Sequence, residues 1–137
     1  MDDKFSVTGE WYFEHDGLIK GPFFNSFPPT GLAKIAEAVE RFFAPYLVIG
    51  DDLANGYTVI EAFRKPVSIV NRDGPVVRFR TQLLPTEANG DHQKTCIYVE
   101  GADTEGSGIM LNLLTQPWSK ASNTALTVEC RVTIKEV

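Results

Sequence analysis

From position 126 to position 135 apolar and polar residues alternate without an error. Leu126, Val128, Cys130, Val132 and Ile134 fall on one side, and Thr127, Glu129, Arg131, Thr133 and Lys135 on the other. A period of two belongs to an extended chain whose successive side chains point to opposite faces. The segment is therefore a β-strand with one face in a core and one in water, and it sets the class of the whole molecule.

The rest of the chain reads the same way. Phe5, Val7, Gly9, Trp11 and Phe13 alternate with Ser6, Thr8, Glu10 and Tyr12, and turn chemistry at His15, Asp16 and Gly17 leads into a partner strand over 18–25, in which Gly21 and Pro22 mark a bulge or an edge. Leu32, Ile35, Ala36, Val39, Phe42 and Phe43 recur at helical spacing, with Thr30 as candidate cap and Pro45 as terminator, so the sequence predicts one amphipathic helix over about residues 31–44 docked on a sheet. Further strands are predicted at 46–49, 57–63, 67–70, 76–83, 94–100, 109–115 and 125–137. The pattern at 71–74 reads as the turn of a hairpin, while 85–93, 101–108 and 116–123 read as polar loops. About eight or nine short strands at intervals of roughly 8 to 12 residues favour a mainly β fold. The expected architecture is one domain over 1–137, an antiparallel β-sandwich of jelly-roll type carrying a single helix.

Composition bounds the function. A net charge of −5 opposes general binding to a polyanion, and no apolar run is long enough to span a bilayer, so neither nucleic acid nor membrane is an expected partner. The start of the chain lacks a basic region followed by an apolar stretch, which predicts no signal peptide. The two cysteines, Cys96 and Cys130, fall in predicted strands, and whether they pair depends on whether those strands are neighbours. His15 and His92 are placed in loops, solvated, with no spacing typical of a metal or catalytic site. Asp51 and Asp52, and the group Asp103, Glu105 and Ser107, read as acidic surface turns that depart from a calcium-loop pattern. The glycine-rich stretch at 101–108 has no lysine for a phosphate, and Gly106-Ser107-Gly108 lacks the spacing of a nucleophile elbow. No catalytic residue, metal ligand or cofactor is expected.

Surface contacts are the remaining prospect. Arg78 and Arg80 share one strand face, with Gln82 beyond and Arg64-Lys65 earlier in the chain; acids of a neighbouring strand or subunit would pair with them. Trp11, Tyr12, Phe23, Phe24, Phe27 and Trp118 are aromatics near turns that serve either a core or an interface. The interface candidates are accordingly Trp11, Tyr12, Phe27, Arg78, Arg80 and Trp118.

Several motifs taken in order resemble a known family. Asn25 followed by Gly31-Leu32-Ala33-Lys34-Ile35-Ala36, then Tyr46-Leu47-Val48-Ile49-Gly50, is similar to the N-x-x-x-x-x-G-L-x-x-I-A helix opening and following strand of small bacteriophage and prophage tail and tail-fibre proteins. Glu61-Ala62-Phe63-Arg64-Lys65-Pro66-Val67 resembles their E-x-x-R-x-P-V strand, Arg78-Phe79-Arg80-Thr81 the strand that answers it, and Glu87-Ala88-Asn89-Gly90 the loop that follows. Gly106-Ser107-Gly108, Lys120-Ala121-Ser122 and Leu126-Thr127-Val128-Glu129-Cys130 resemble the closing turn, K-T turn and L-T-V-E-W strand, with Cys130 in place of the usual aromatic. The likeness covers residues 25–134. It implies a non-enzymatic, tail-associated virion protein, made in a bacterial host cytoplasm, acting as a homo-oligomer, a trimer above all, and through contacts with other phage structural proteins. The alternatives are a capsid decoration or cement protein and a receptor- or carbohydrate-binding sandwich module; the latter needs Trp11, Trp118 or Tyr57 exposed in a groove.

Overall fold

The computed structural model describes residues 5–37 and 43–136. In them lie nine strands and one helix: β1 (Phe5–His15), β2 (Leu18–Phe24), α1 (Pro29–Glu37), β3 (Tyr46–Gly50), β4 (Glu61–Pro66), β5 (Ile69–Asp73), β6 (Val76–Leu83), β7 (Gly90–Val99), β8 (Ile109–Lys120) and β9 (Leu126–Glu136). They form two antiparallel sheets, ordered β2-β1-β9-β6-β5 and β4-β3-β7-β8. The mainly β sandwich expected from the alternation is the fold of the protein.

The strand whose pattern is cleanest occupies the middle of the five-stranded sheet. In register, Trp11 faces Cys130 and Cys130 faces Phe79, so period-two alternation in three adjacent strands lays one apolar surface across the sheet. Leu47, Ile49, Ile97, Val99, Leu111 and Leu114 of the other sheet pack against it in a single core. Each such side chain, once buried, contributes roughly 1.5–3 kcal/mol relative to exposure. A smaller cluster of Val48, Cys96, Met110 and Leu113 forms on the other face of the four-stranded sheet. Cys130 belongs to the first cluster and Cys96 to the second, and both are free thiols.

Four connections cross between the layers. After β2, Ser26 exchanges backbone hydrogen bonds with Leu113 of β8, at 3.0 and 2.9 Å. After β4, Val67 N–H donates to Pro45 and Ser68 N–H to Arg80, each at 3.0 Å. The edge strands carry interruptions. Gly21 and Pro22, joined by a cis bond, put an extra residue in β2 opposite Tyr12, Pro66 ends β4, and Gln116-Pro117 puts an extra residue in β8.

The helix starts earlier than its stripe implied. Pro29 takes the first helical position, where a missing N–H costs nothing, and Leu32 N–H donates to the Pro28 carbonyl, so Thr30 lies inside the first turn and does not cap it. Ile35 is buried in the core, whereas Leu32 and Phe43 are exposed; Val39 and Phe42 lie outside the described residues. Four other boundaries move. Residues 51–60 are a loop, so the strand predicted at 57–63 begins only at Glu61, and residues 71–73 extend β5, leaving Gly74 and Pro75 as the turn. β7 starts at Gly90 and β8 runs on to Lys120, shortening two predicted loops.

Candidate functional site

The polar residues that carry the family resemblance are tie points between loops and sheets. Asn25 Oδ1 accepts from Trp11 Nε1 at 2.9 Å and from Asn112 Nδ2 at 3.2 Å, joining the first crossing to both sheets. Arg64 and Glu61 form a two-pronged ion pair, 2.8 and 2.9 Å, with both side chains only 6% exposed. Arg64 also lies over the rings of Tyr46 and Tyr98 and donates to Ala102 O and Ser107 Oγ, while Glu61 accepts from Gly106 N–H. The Arg64 hydrogen bonds hold the Glu61 carboxyl below its usual range, and burial raises Tyr98 to about 12. Arg64 is thus no part of an exposed binding face, as its place beside Arg78 and Arg80 had suggested: it pins residues 102–107. Lys65 reaches Glu87 at 2.7 Å, tying the loop before β7; burial alone would raise the Glu87 carboxyl, but Lys65 and the Leu84 N–H outweigh it.

The acids at 51–52 hold two basic groups of β7. Asp52 accepts from Ile60 N–H at 2.8 Å and from Lys94 Nζ at 2.7 Å, and these bonds lower its pKa in that order. The Lys94 ammonium is buried and completes its three donations with the carbonyls of Ala54 and Thr58, at 2.8 and 2.6 Å. A lysine therefore sits where a calcium reading would have put an ion, and it organises 51–60 as a loop. His92, expected to be solvated, is buried: Nδ1 lies 2.6 Å from Asp51, Nε2–H donates to Ala88 O at 2.7 Å, and the ring packs against Trp118.

The six interface candidates separate. Trp11 is fully buried and Phe27 packs on the core, so for these two the aromatic serves the interior. Tyr12 and Arg80 come together on the outer face of the five-stranded sheet, in a shallow depression of about 280 Å³ shared with Glu14, Ile19, Glu129 and Arg131. Arg80 pairs with Glu129 of the adjacent β9 at 3.6 Å and reaches Glu14 of β1, one strand further, at 3.8 Å, while Arg131 lies over the Tyr12 ring and bonds Glu129. Arg78 stands directly opposite Arg131, and its buried Nε has no hydrogen-bond partner among the described residues.

Trp118 lies elsewhere, half-buried in the wall of a cleft of about 330 Å³ between the β1–β2 hairpin and the end of β8. Its ring packs 5.0 Å from Phe13 and its Nε1 donates to Thr95 Oγ1. Phe13, Phe23, Leu126 and Pro117 make the cleft apolar, and its ionisable lining residues are all basic: His15, Lys20 and Lys120. Lys120 is 4% exposed and donates to Asn89 Oδ1 at 2.6 Å and Pro85 O at 3.3 Å, both uncharged; burial lowers its pKa. The sequence pattern missed Lys120 and Lys20. The available signal is a lysine two positions beyond Trp118, on a segment whose composition predicts a loop.

The chain matches no family model, no curated protein and no solved structure.

Proposed function

We propose that the protein is a non-enzymatic structural component of a bacteriophage or prophage virion, associated with the tail, which acts by assembling with copies of itself and docking on other virion proteins. The observation that carries this reading is the outer face of the five-stranded sheet. Charge runs across its centre from acidic to basic, from Glu10 and Glu14 on β1 through Glu129 and Arg131 on β9 to Arg78 and Arg80 on β6, and exposed Ile19, Phe24 and Ile69 stand on its flanks. An acidic side and a basic side of one face are complementary between copies placed head to tail around a ring, so further copies of the chain are the natural occupants. The family likeness over residues 25–134 supports the virion assignment.

Sedimentation or light scattering gives the mass in solution. A homo-oligomer, with a trimer expected, supports the reading, and Arg78→Glu together with Arg80→Glu should shift the mass toward the monomer while the circular dichroism of the sheet persists. A clean monomer at high concentration would overturn it. The gene neighbourhood separates the locations: tail genes on either side favour the tail, whereas capsid genes favour a decoration protein.

A further inference from the structure

Two buried lysines invite comparison. Lys94 fills its three donor positions with one carboxylate and two carbonyls, so its charge is compensated within the chain. Lys120, equally buried, has two uncharged acceptors and, among the described residues, no carboxylate at ion-pair distance. A buried ammonium is costly unless it is paired, and this one lies in the wall of an open cleft. The other ionisable lining residues are basic as well, in a chain with a net charge of −5. Acids stand behind the wall, Asp16 at 3.5 Å from His15 and Asp91 bonded to Ser119, but none lines the cleft, so the charged groups that a ligand meets there favour an anion.

The remaining chemistry of the cleft narrows the anion. Ser119 Oγ donates to Asp91, Thr124 Oγ1 to Ala121 O and Trp118 Nε1 to Thr95, so the neutral polar groups nearby are engaged inside the protein. A sugar would leave its hydroxyls unpaired against Phe13, Phe23 and Leu126, and a buried polar group without a partner disfavours binding. A hydrocarbon or aromatic body suits those walls. The volume, about 330 Å³, is at the small end of ligand sites, which run from about 300 to 1,000 Å³.

We infer that this cleft binds a small amphipathic carboxylate, its apolar body against Trp118 and Phe13 and its carboxylate paired with Lys120 and approached by Lys20. The site lies apart from the outer sheet face invoked for assembly, so a mass measurement and a ligand titration fail separately.

Octanoate is the probe, followed by calorimetry and by the fluorescence of Trp118, with octylamine, octanol and glucuronate as comparators. Octanoate should bind at millimolar concentration or below and perturb the fluorescence, octylamine should not bind, and octanol should bind more weakly. Lys120→Met should lower octanoate affinity at least about tenfold, as expected for removing one member of a buried charge pair. Because that change also removes the bonds to Asn89 and Pro85, Lys20→Met, on an exposed position, serves as the second variant and should weaken binding a few-fold without altering the fold. No octanoate binding, octanol binding as tightly as octanoate, glucuronate binding better than both, or unchanged affinity in both lysine variants would each overturn the inference.

Discussion

Glu61 and Arg64 are three positions apart on a strand, a spacing that sends side chains to opposite faces of a regular sheet. Their ion pair exists because β4 carries an extra residue, Ala62, where the register against β3 shifts between Ile49 and Gly50. The bulge restores the two groups to one side, and the pair then holds Ala102, Gly106 and Ser107. Removing one partner of a buried pair leaves the other uncompensated. Glu61→Gln should therefore cost about 3 kcal/mol in denaturant unfolding and speed amide exchange at Gly106, whose acceptor it weakens. The same example marks the limit of the sequence. The spacing of Glu61 and Arg64 was plain, but a bulge is a property of two strands together, so Arg64 read as an exposed cation. Trp11 and His92 were hidden likewise, because burial is decided by which partners arrive: Asn25 for the indole, Asp51 and Ala88 for the imidazole.

At the scale of elements, alternation was the more dependable guide. β1, β6 and β9 needed only their own periodicity, since each lies in a sheet with one wet face. The helix needed more. Its stripe gave the period, but its place on the sheet depends on Gly31, where an added Cβ would run into the carbonyl of Leu111. That close approach gives the glycine of the G-L-x-x-I-A motif a physical role, and Lys34 fastens the next turn to Glu100 at 3.0 Å. Gly31→Ala should push α1 off β8 and cost about 1–3 kcal/mol, outweighing alanine's better helix propensity. Thermal melting compared with Ala33→Gly checks this: if Gly31→Ala is neutral or stabilising, the close contact does not govern the docking.

Across the whole molecule, loops are held to sheets by acids with lowered pKa: Asp52 for 51–60, Glu61 for 102–107 and Glu87 for the loop before β7. A carboxyl whose pKa falls on folding contributes its full stability above its unfolded value, and that contribution is lost as pH drops through the folded one. Melting temperature should thus hold steady from neutrality down to the ordinary values of 3.8 and 4.5, then decline together with protection of all three loops. A decline that began near pH 6 would point to other groups. The interruptions in the edge strands bear on a different hazard. Open sheet edges invite one copy to add its strands to the next without limit, the growth law of a fibril. Here Pro22, Pro66 and Pro117 each remove a backbone donor from an edge strand, and Ser26 covers part of the β8 edge that Pro117 interrupts, which leaves the short, exposed β5 as the edge without an interruption. A chain built in this way meets its neighbours through side-chain chemistry at three of its four edges, where unlimited strand addition is opposed, and only five-residue β5 offers a regular backbone edge.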